Sequence, residues 1–389
     1  MSKVRTAAVI GGGIAGPVAA LALRRAGIEA TVYEAYPTAA DGVGGTIVLA
    51  PNGVAALAIA GVDTLPASQP AVRQVMRVGD GRRIGLPSLP ELGPMHVIRR
   101  TDLYRLLHER AAAEGIRVES GRRLVDVRHD ELVFADGGRA TADVVIGADG
   151  VHSTVRGLID PAAPGPRYTG MLSFEGWSDV PVPEDQGTMT FAFGKRAYYL
   201  YWPFRGGTTF GINLPHERPL SIREAQAVPV AEWLRTLREI YGDDEPGGDL
   251  VRRLRPADLH IGGALFIMPP VPRWHRGRMV LVGDAVHAPS NSSGQGASLA
   301  IESAVQLARC LRDIDDVPAA FATYERLRRR RVEGIAAGAA KINHTKTPGR
   351  LGQAVLPIMM PLLLKTIMRP EKTIGEAQRY RIDWAEPIH

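Results

Sequence analysis

Hydrophobic spacing in the first part of the chain changes period in a fixed order. Within Val4–Glu34 an apolar, β-branched run closing on Val9 and Ile10 enters a glycine cluster, an Ala/Leu pattern follows, and Ala30–Tyr33 is strand-like again before Glu34. Strand, helix and strand are the elements these periods predict. After Pro51-Asn52-Gly53 a helical spacing holds Val54, Leu57, Ala58 and Val62, and Val72–Leu86 reads as strands turning at Gly79-Asp80-Gly81. Arg99–Glu109 predicts a helix with Leu103, Leu106 and Leu107 inward and Thr101 or Asp102 as N-cap. Strands are predicted over Val118–Val127 and Leu132–Phe134, and Val144–Ile146 is a short apolar run of the kind found in a central parallel strand. From Tyr168 to Phe210 the texture changes: 11 of the 23 aromatic residues fall there, alternating at Thr188–Phe193 and Tyr199–Tyr201. Val228–Tyr241 reads as one amphipathic helix, Leu250–Ile267 as strands, Met279–Val282 as a buried strand and Ala297–Cys310 as a helix.

This alternation predicts an α/β protein (α+β overall). A Rossmann-like nucleotide domain is expected in three pieces, 1–71, 96–167 and 270–335. A mainly antiparallel sheet, 72–95 plus 168–269, is expected as an insertion, with a helical segment over 336–389. A large aromatic sheet face beside a cofactor domain is also where a flat substrate would lie, and Phe191, Phe193 and Tyr201 are its candidate lining residues.

Composition changes this picture little. A chain of 389 residues suits two or three packed domains. A net charge of +6 is modest, and its one basic run, Arg328–Arg331, continues a helical pattern and is read as a solvated face rather than a nucleic-acid patch. Cys310 is the only cysteine, so a dithiol redox centre is excluded, and its Ala/Leu surroundings read as a small buried hydrophobe. The apolar stretch Ala354–Met368 is interrupted by Pro357 and Pro361 and is too short to span a bilayer. With no signal peptide read at the N-terminus, the expectation is a cytoplasmic monomer or homodimer without nucleic acid or a transmembrane segment.

Gly11, Gly13 and Gly16 fit G-x-G-x-x-G, and Glu34 ends the second strand. Their jobs are mechanical: a tight turn, close backbone approach to a pyrophosphate, and close helix–strand packing, with the acid accepting hydrogen bonds from a ribose diol. The unit announces a dinucleotide without distinguishing FAD from NAD. Gly44 and Gly45, outside that turn, suggest backbone approaching a second part of the ligand. Arg100 suits either a surface charge or a fixed phosphate or flavin partner. Gly283-Asp284, Pro289 and Gly294-Gln295-Gly296 before a helix again describe a polar ligand held by backbone amides. No His/Cys/Asp spacing suits a metal, and His287 is read as a packing and hydrogen-bonding residue rather than a proton relay.

Three separated segments together resemble the class A flavin monooxygenases, the aromatic hydroxylases of the p-hydroxybenzoate hydroxylase type. They are GGGIAG at 11–16 with Glu34, VVIGADGVHSTVR at 144–156, and RMVLVGDAVHAPSNSSGQGASLAIESA at 278–304. Arg100 in RRTDL matches the family's flavin-contacting arginine, and VGGTIVL at 43–49 is similar to the tetracycline-degrading members. The resemblance implies FAD with Gly11, Gly13, Ala15 and Gly16 at the pyrophosphate, Glu34 at the adenosine ribose and Leu124 at the adenine through its backbone. It implies Asp284 at the ribityl chain, Gly45, Thr46, Arg100, Pro289, Gly294, Gly296 and Ala297 around the flavin, and Asp149 in a segment tied to FAD and NAD(P)H. Ser298 and Ser303 depart from the Asn and Asp of many members. The implied chemistry is reduction of FAD by NADPH or NADH, addition of O2 at the flavin C4a position, and transfer of one oxygen atom to a bulky aromatic, polyketide-like substrate. Baeyer–Villiger or epoxidation chemistry, antibiotic inactivation, a flavin-dependent reductase and a non-catalytic flavin sensor are the alternatives.

Overall fold

The computed structural model describes residues 4–37, 44–78, 81–86, 89–128, 131–343 and 370–388. In chain order the first elements are β1 (Thr6–Ile10), α1 (Ala15–Arg25), β2 (Glu29–Glu34), β3 (Thr46–Leu49), α2 (Pro51–Ile59), β4 (Gln69–Ala71), β5 (Arg73–Arg77), β6 (Arg83–Leu86) and β7 (Met95–Arg99). Then come α3 (Arg100–Ala113), β8 (Arg117–Ser120), β9 (Leu124–Arg128), β10 (Glu131–Phe134), β11 (Arg139–Thr141), β12 (Val144–Gly147) and α4 (Thr154–Ile159). The middle of the chain gives β13 (Arg167–Ser178), β14 (Thr188–Phe193), β15 (Tyr198–Phe204), β16 (Gly207–Pro215), α5 (Ile222–Ala227), α6 (Val230–Tyr241), α7 (Gly247–Arg253) and β17 (Leu259–Ile267). The last are β18 (His275–Arg276), β19 (Met279–Leu281), α8 (Gly296–Asp313), α9 (Val317–Asn343) and α10 (Pro370–Arg379).

Four sheets result. The six-stranded sheet runs β18-β19-β12-β1-β2-β8, parallel except at β18. Its strands are apolar on both faces because α1, α3 and α8 cover them, as a parallel sheet requires. The seven-stranded sheet runs β17-β13-β16-β15-β14-β5-β6 and is antiparallel except where β14 meets β5. Its two faces differ. Leu172, Phe174, Tyr199, Tyr201, Phe210 and Ile212 point to one side and pack on Trp233, Leu237 and Tyr241 of α6. Residues of opposite parity point toward the six-stranded sheet and the small sheet β3-β7-β4, where Met189 and Trp202 meet Ala71 and Val97.

Two local expectations change. Residues 250–258 are not strand: α7 occupies Gly247–Arg253, and β17 begins only at Leu259. Neither Thr101 nor Asp102 caps α3, which starts two or three residues earlier, at Arg100 after Arg99, with no side-chain cap. The turn residues 79 and 80 and the apolar stretch Ala354–Met368 lie outside the described residues. Among the described residues no helix is long and apolar enough to cross a membrane.

Candidate cofactor site and active site

The end of β1 delivers the chain into Gly11, whose φ of +108° and position over Ala148 exclude a side chain: a Cβ there would lie 2.5 Å from the Ala148 carbonyl oxygen. Gly16, in the first turn of α1, is tighter still, since its Cβ would fall 1.8 Å from the Gly11 oxygen. Gly13 behaves in the opposite way, with no atom within 4 Å of where its Cβ would be. It faces open space at the uncapped N-terminus of α1, where free N–H groups and the helix dipole favour a phosphate. Ala15 is buried against the sheet. Glu34 Oε2 accepts a hydrogen bond from Gly12 N at 2.7 Å and Oε1 one from Tyr36 N at 2.9 Å, so its carboxylate is fixed beside the turn. Leu124 starts β9, buried and paired with Phe134, which packs on Tyr33. His108 was not read from the sequence; its Nε2 meets the Gly12 carbonyl at 2.7 Å from α3.

The second half of the cradle lies where β3, α3 and the loop after β19 converge. Arg100 N donates to the Gly45 carbonyl at 3.1 Å, and the Arg100 side chain packs on Gly44, which adopts φ +90°. Thr46 pairs with Arg99 across β3 and β7. Asp284 sits in a single 3-10 turn, Gly283–Ala285, and its carboxylate makes no hydrogen bond among the described residues. Solvent reaches it, yet protein surrounds it, which is the geometry of a group at the bottom of a cleft. That burial raises its pKa, opposed by the charge of Arg100. Pro289 follows, half-buried, and Gly294 (φ +59°) and Gly296 each leave the space beyond the missing Cβ empty. Ala297 stands in the first turn of α8, which also lacks a side-chain cap. Open glycines, a solvent-reachable unbonded carboxylate and two uncapped helix starts fit an extended FAD with its diphosphate at Gly13 and its polar chain at Asp284.

Asp149 takes a different position from a ligand-facing carboxylate. Its Oδ1 accepts from Ser153 Oγ at 2.5 Å and its Oδ2 from Thr154 N and Val155 N at 2.7 and 3.1 Å, so it backs Ser153, the N-cap of α4, and takes two free N–H groups of that helix start. Arg156 then spans to the Ala285 carbonyl at 2.9 Å and ties this turn to the one holding Asp284. The segment therefore shapes the cleft by bracing the Asp284 turn.

Facing the cradle, one cross-strand row of the seven-stranded sheet reads Phe191, Leu200, Gly211, Glu175, His260. Phe191 and Leu200 pack toward Val97 and Trp202 at the apolar end. The Leu200 side chain leans over Gly211 in the middle, and Glu175 reaches over to accept from Thr46 N at 2.6 Å. Next to this row, Asn213 Oδ1 accepts from Asn291 Nδ2 at 3.1 Å, joining the sheet to the loop after Pro289. Phe191 thus stands on the cofactor-facing side. Phe193 shares that parity but packs at the far edge with Met76, Val78 and Ile84. Tyr201 is a correction. It points to the helix-covered face, is fully buried, and donates to Glu184 Oε1 at 3.0 Å, so it supports the sheet from behind. Burial, with Glu184 adjacent, pushes its pKa up to about 12.

The sequence profile described as "FAD binding domain" matches residues 3–204 and 270–339. Aurachin C monooxygenase/isomerase of Stigmatella aurantiaca is 30% identical over 369 residues, covering 90% of both chains. The chain belongs to the class A FAD-dependent monooxygenase family. Among its other relatives, 3-amino-4-hydroxybenzoate 2-monooxygenase of Streptomyces cremeus is 32% identical over 82% of each chain. The structure of Klebsiella pneumoniae HpxO complexed with FAD and uric acid superposes with a TM-score of 0.81, at 26% identity over 96% of each chain.

Behind the loop that carries Gly294 and Gly296 this flavoprotein monooxygenase has a buried polar cluster that overturns another expectation. Arg328 and Arg331 are not on a solvated helix face. Arg328 is wholly buried with its Nη1 2.6 Å from Glu302 Oε2, an ion pair off the hydrogen-bond axis. Arg331 meets both oxygens of Glu302 at 2.8 and 2.9 Å, and both guanidiniums lie over Tyr380. Burial would raise the Glu302 pKa, but Arg328 and Arg331 more than offset it and hold it low. Asn52 Nδ2 donates to Glu302 at 2.6 Å and to Gln295 at 3.0 Å, carrying the cluster forward to the loop beside Gly294 and Gly296. The two family departures have structural partners: Ser298 Oγ accepts from Ala50 N at 3.0 Å, and Ser303 Oγ lies 2.8 Å from His287 Nε2 and accepts from Arg328 Nε at 3.2 Å. His287 is buried, and desolvation, reinforced by Arg328, pushes its pKa down to about 3, so it is neutral and structural. Cys310 is fully buried. No cluster with metal-ligand geometry occurs among the described residues.

Proposed function

We propose that this flavoprotein hydroxylates an aromatic ring lying on the row Phe191–Leu200–Gly211–Glu175–His260, with NAD(P)H as reductant and O2 as the oxygen donor. Bound FAD supplies the redox chemistry and the oxygen activation. The chain supplies binding, orientation and exclusion of water. Phe191 and Leu200 offer an apolar floor, with the Leu200 side chain lying over Gly211. Glu175, His260, Asn213 and Asn291 confront a substituent with hydrogen-bonding capacity at the other end. This polar end is the observation that carries the reading, because a purely apolar substrate would leave the buried His260 Nε2 without a partner. It shifts the substrate from a bulky aromatic in general to one bearing a hydroxyl, amino or ring N–H group, with the polyketide-like class retained where such groups occur. Relatives named for 3-amino-4-hydroxybenzoate and for urate support that choice.

The test is oxygen-coupled NADH and NADPH oxidation by the FAD-loaded protein across hydroxylated polyketide-like aromatics, hydroxybenzoates and urate. Stimulation by hydroxylated rings with formation of a product one oxygen heavier is expected. Equal stimulation by unsubstituted aromatics, or none by any ring, would sink the reading.

A further inference from the structure

We propose that the buried ion cluster of Arg328, Glu302 and Arg331 sets the reduction potential of the bound FAD. It does so by fixing the sense of two side-chain amides, so that Gln295 turns N–H groups rather than a carbonyl toward the flavin ring. The proposal goes beyond the choice of substrate and rests only on FAD lying against Gly294 and Gly296.

Its first support is the logic of donors and acceptors. Glu302 is fully buried, 2.6 Å from Arg328 Nη1 and 2.8 Å from Arg331 Nη2. Burial works against its charge, and the two guanidiniums outweigh burial and keep it ionised. An ionised carboxylate only accepts hydrogen bonds. Asn52, 2.6 Å from Glu302 Oε1, must therefore face it with Nδ2. The same Nδ2 lies 3.0 Å from Gln295 Oε1, so the Gln295 carbonyl is taken and its Nε2 is left over. One charge dictates the sense of both amides.

The second support is rigidity. A Cβ on Gly53 would fall 2.5 Å from Ser298 Oγ, which itself accepts from Ala50 N at 3.0 Å, so the start of α2 is pressed on α8 and Asn52 is held in place. The third is an unused donor. The Gln295 backbone N–H already donates to Ser293 Oγ at 3.1 Å. Its Nε2 makes no hydrogen bond among the described residues, yet solvent reaches it, whereas Asn52 Oδ1 is sealed. That donor stands between two glycines with open space beyond them, where a ligand acceptor would satisfy it.

Two-electron reduction adds negative charge to the flavin ring, and a preorganised N–H donor holds the more negative state more tightly. By linkage, a donor that favours reduced over oxidised FAD tenfold raises the potential by about 30 mV. A carbonyl in its place would act in the opposite direction. Glu302 and Asn52 act through Gln295 and are positioning residues. They lie 250 residues apart in sequence, and only the packing of α2 on α8 joins them.

The experiment is anaerobic titration of each apoprotein with oxidised and with dithionite-reduced FAD, alongside the midpoint potential of the holoprotein by dye equilibration. No ring substrate or NAD(P)H is present, so the result is independent of the hydroxylase reading. In Gln295→Leu and Gln295→Glu the preference for reduced FAD should fall about tenfold or more, about 30 mV in potential. Asn52→Asp should act the same way from a distance. The oxygen it brings carries at most one hydrogen, which Glu302 takes, so Gln295 must reverse and turn its carbonyl outward. Where Asn52→Asp does not fold, Asn52→Leu frees the Gln295 amide and should shift the potential in the same direction by less. A merely structural role would weaken both redox forms equally and leave the potential unmoved. That result in Gln295→Leu overturns the proposal, as does loss of both forms together. A wild-type potential in the folded Asn52 variant, with a lowered one in the Gln295 variants, overturns control by the ion cluster.

Discussion

Two glycines of the phosphate turn, only three residues apart, should fail in opposite ways when each becomes alanine. At Gly16 the new methyl would lie 1.8 Å from the Gly11 carbonyl oxygen. That oxygen cannot retreat, because Gly11 is itself pressed on Ala148. Overpacking against fixed backbone costs roughly 1–3 kcal/mol or more, so the Gly16→Ala apoprotein should be destabilised by at least that amount. At Gly13 the methyl meets nothing within 4 Å, and no positive φ stands in the way. Replacing glycine at such a site typically stabilises by about 0.4–1 kcal/mol through the unfolded chain. The same methyl occupies the space a diphosphate needs, so FAD affinity should fall by about tenfold or more, which is roughly 1.4 kcal/mol. Urea unfolding of the apoproteins and fluorescence titration with FAD separate the two effects. Wild-type affinity in Gly13→Ala would remove the cradle from this turn. Undiminished apoprotein stability in Gly16→Ala would show that the close helix–strand contact does not exist.

Four further substitutions probe the cleft and the buried cluster behind it. Asp284→Asn should weaken FAD by about 1.5–3 kcal/mol, the worth of a hydrogen bond to a charged acceptor, while leaving apoprotein stability close to wild type because the carboxylate is solvent-exposed in the apoprotein; unchanged affinity by equilibrium dialysis would contradict the assignment. Glu302→Gln should destabilise by roughly 3–5 kcal/mol, since Arg328 is left buried without its counter-charge. Arg328→Met should cost less because Arg331 still pairs with Glu302, and the reverse order in urea unfolding would refute this account of the cluster. His287, with a folded pKa depressed from 6.5 to about 3, stays neutral when folded while the unfolded chain takes up a proton. Its contribution is therefore full above about pH 6.5 and is lost progressively as pH falls toward about 3, so the unfolding free energy should drop across that window, less so in His287→Asn.

The cofactor half of the molecule was legible because backbone geometry dictates residue type there. Only glycine fits at Gly11 and Gly16, and only a short polar turn can aim Asp284 into a cleft. The substrate half was less so. Tyr198, Tyr199, Tyr201 and Trp202 put aromatic residues on both sides of β15, so alternation gave no sign of which side meets the cofactor. A clue was present in β13, where Ser173 and Glu175 recur at spacing two among buried neighbours and mark a polar stripe. Its partners on β16 and β17 come from distant sequence, and pairing is invisible without the sheet. Arg328 and Arg331 were misread because a helical arginine reads as solvated unless the chain supplies a buried acid, and Glu302 lies on another helix. Asp149 showed the converse, a motif residue whose carboxylate serves its own helix.

The central claim is that this chain holds FAD against the row Phe191–Leu200–Gly211–Glu175–His260 and places one oxygen atom on a hydroxylated ring there. It is tested most directly by turnover of the FAD-loaded protein under 18O2, with NAD(P)H and the ring that best stimulates its oxidation, read by mass spectrometry of the product. The account predicts a product carrying a single 18O. A product labelled from water instead, or NAD(P)H consumed with every labelled atom recovered as peroxide or water, would contradict it.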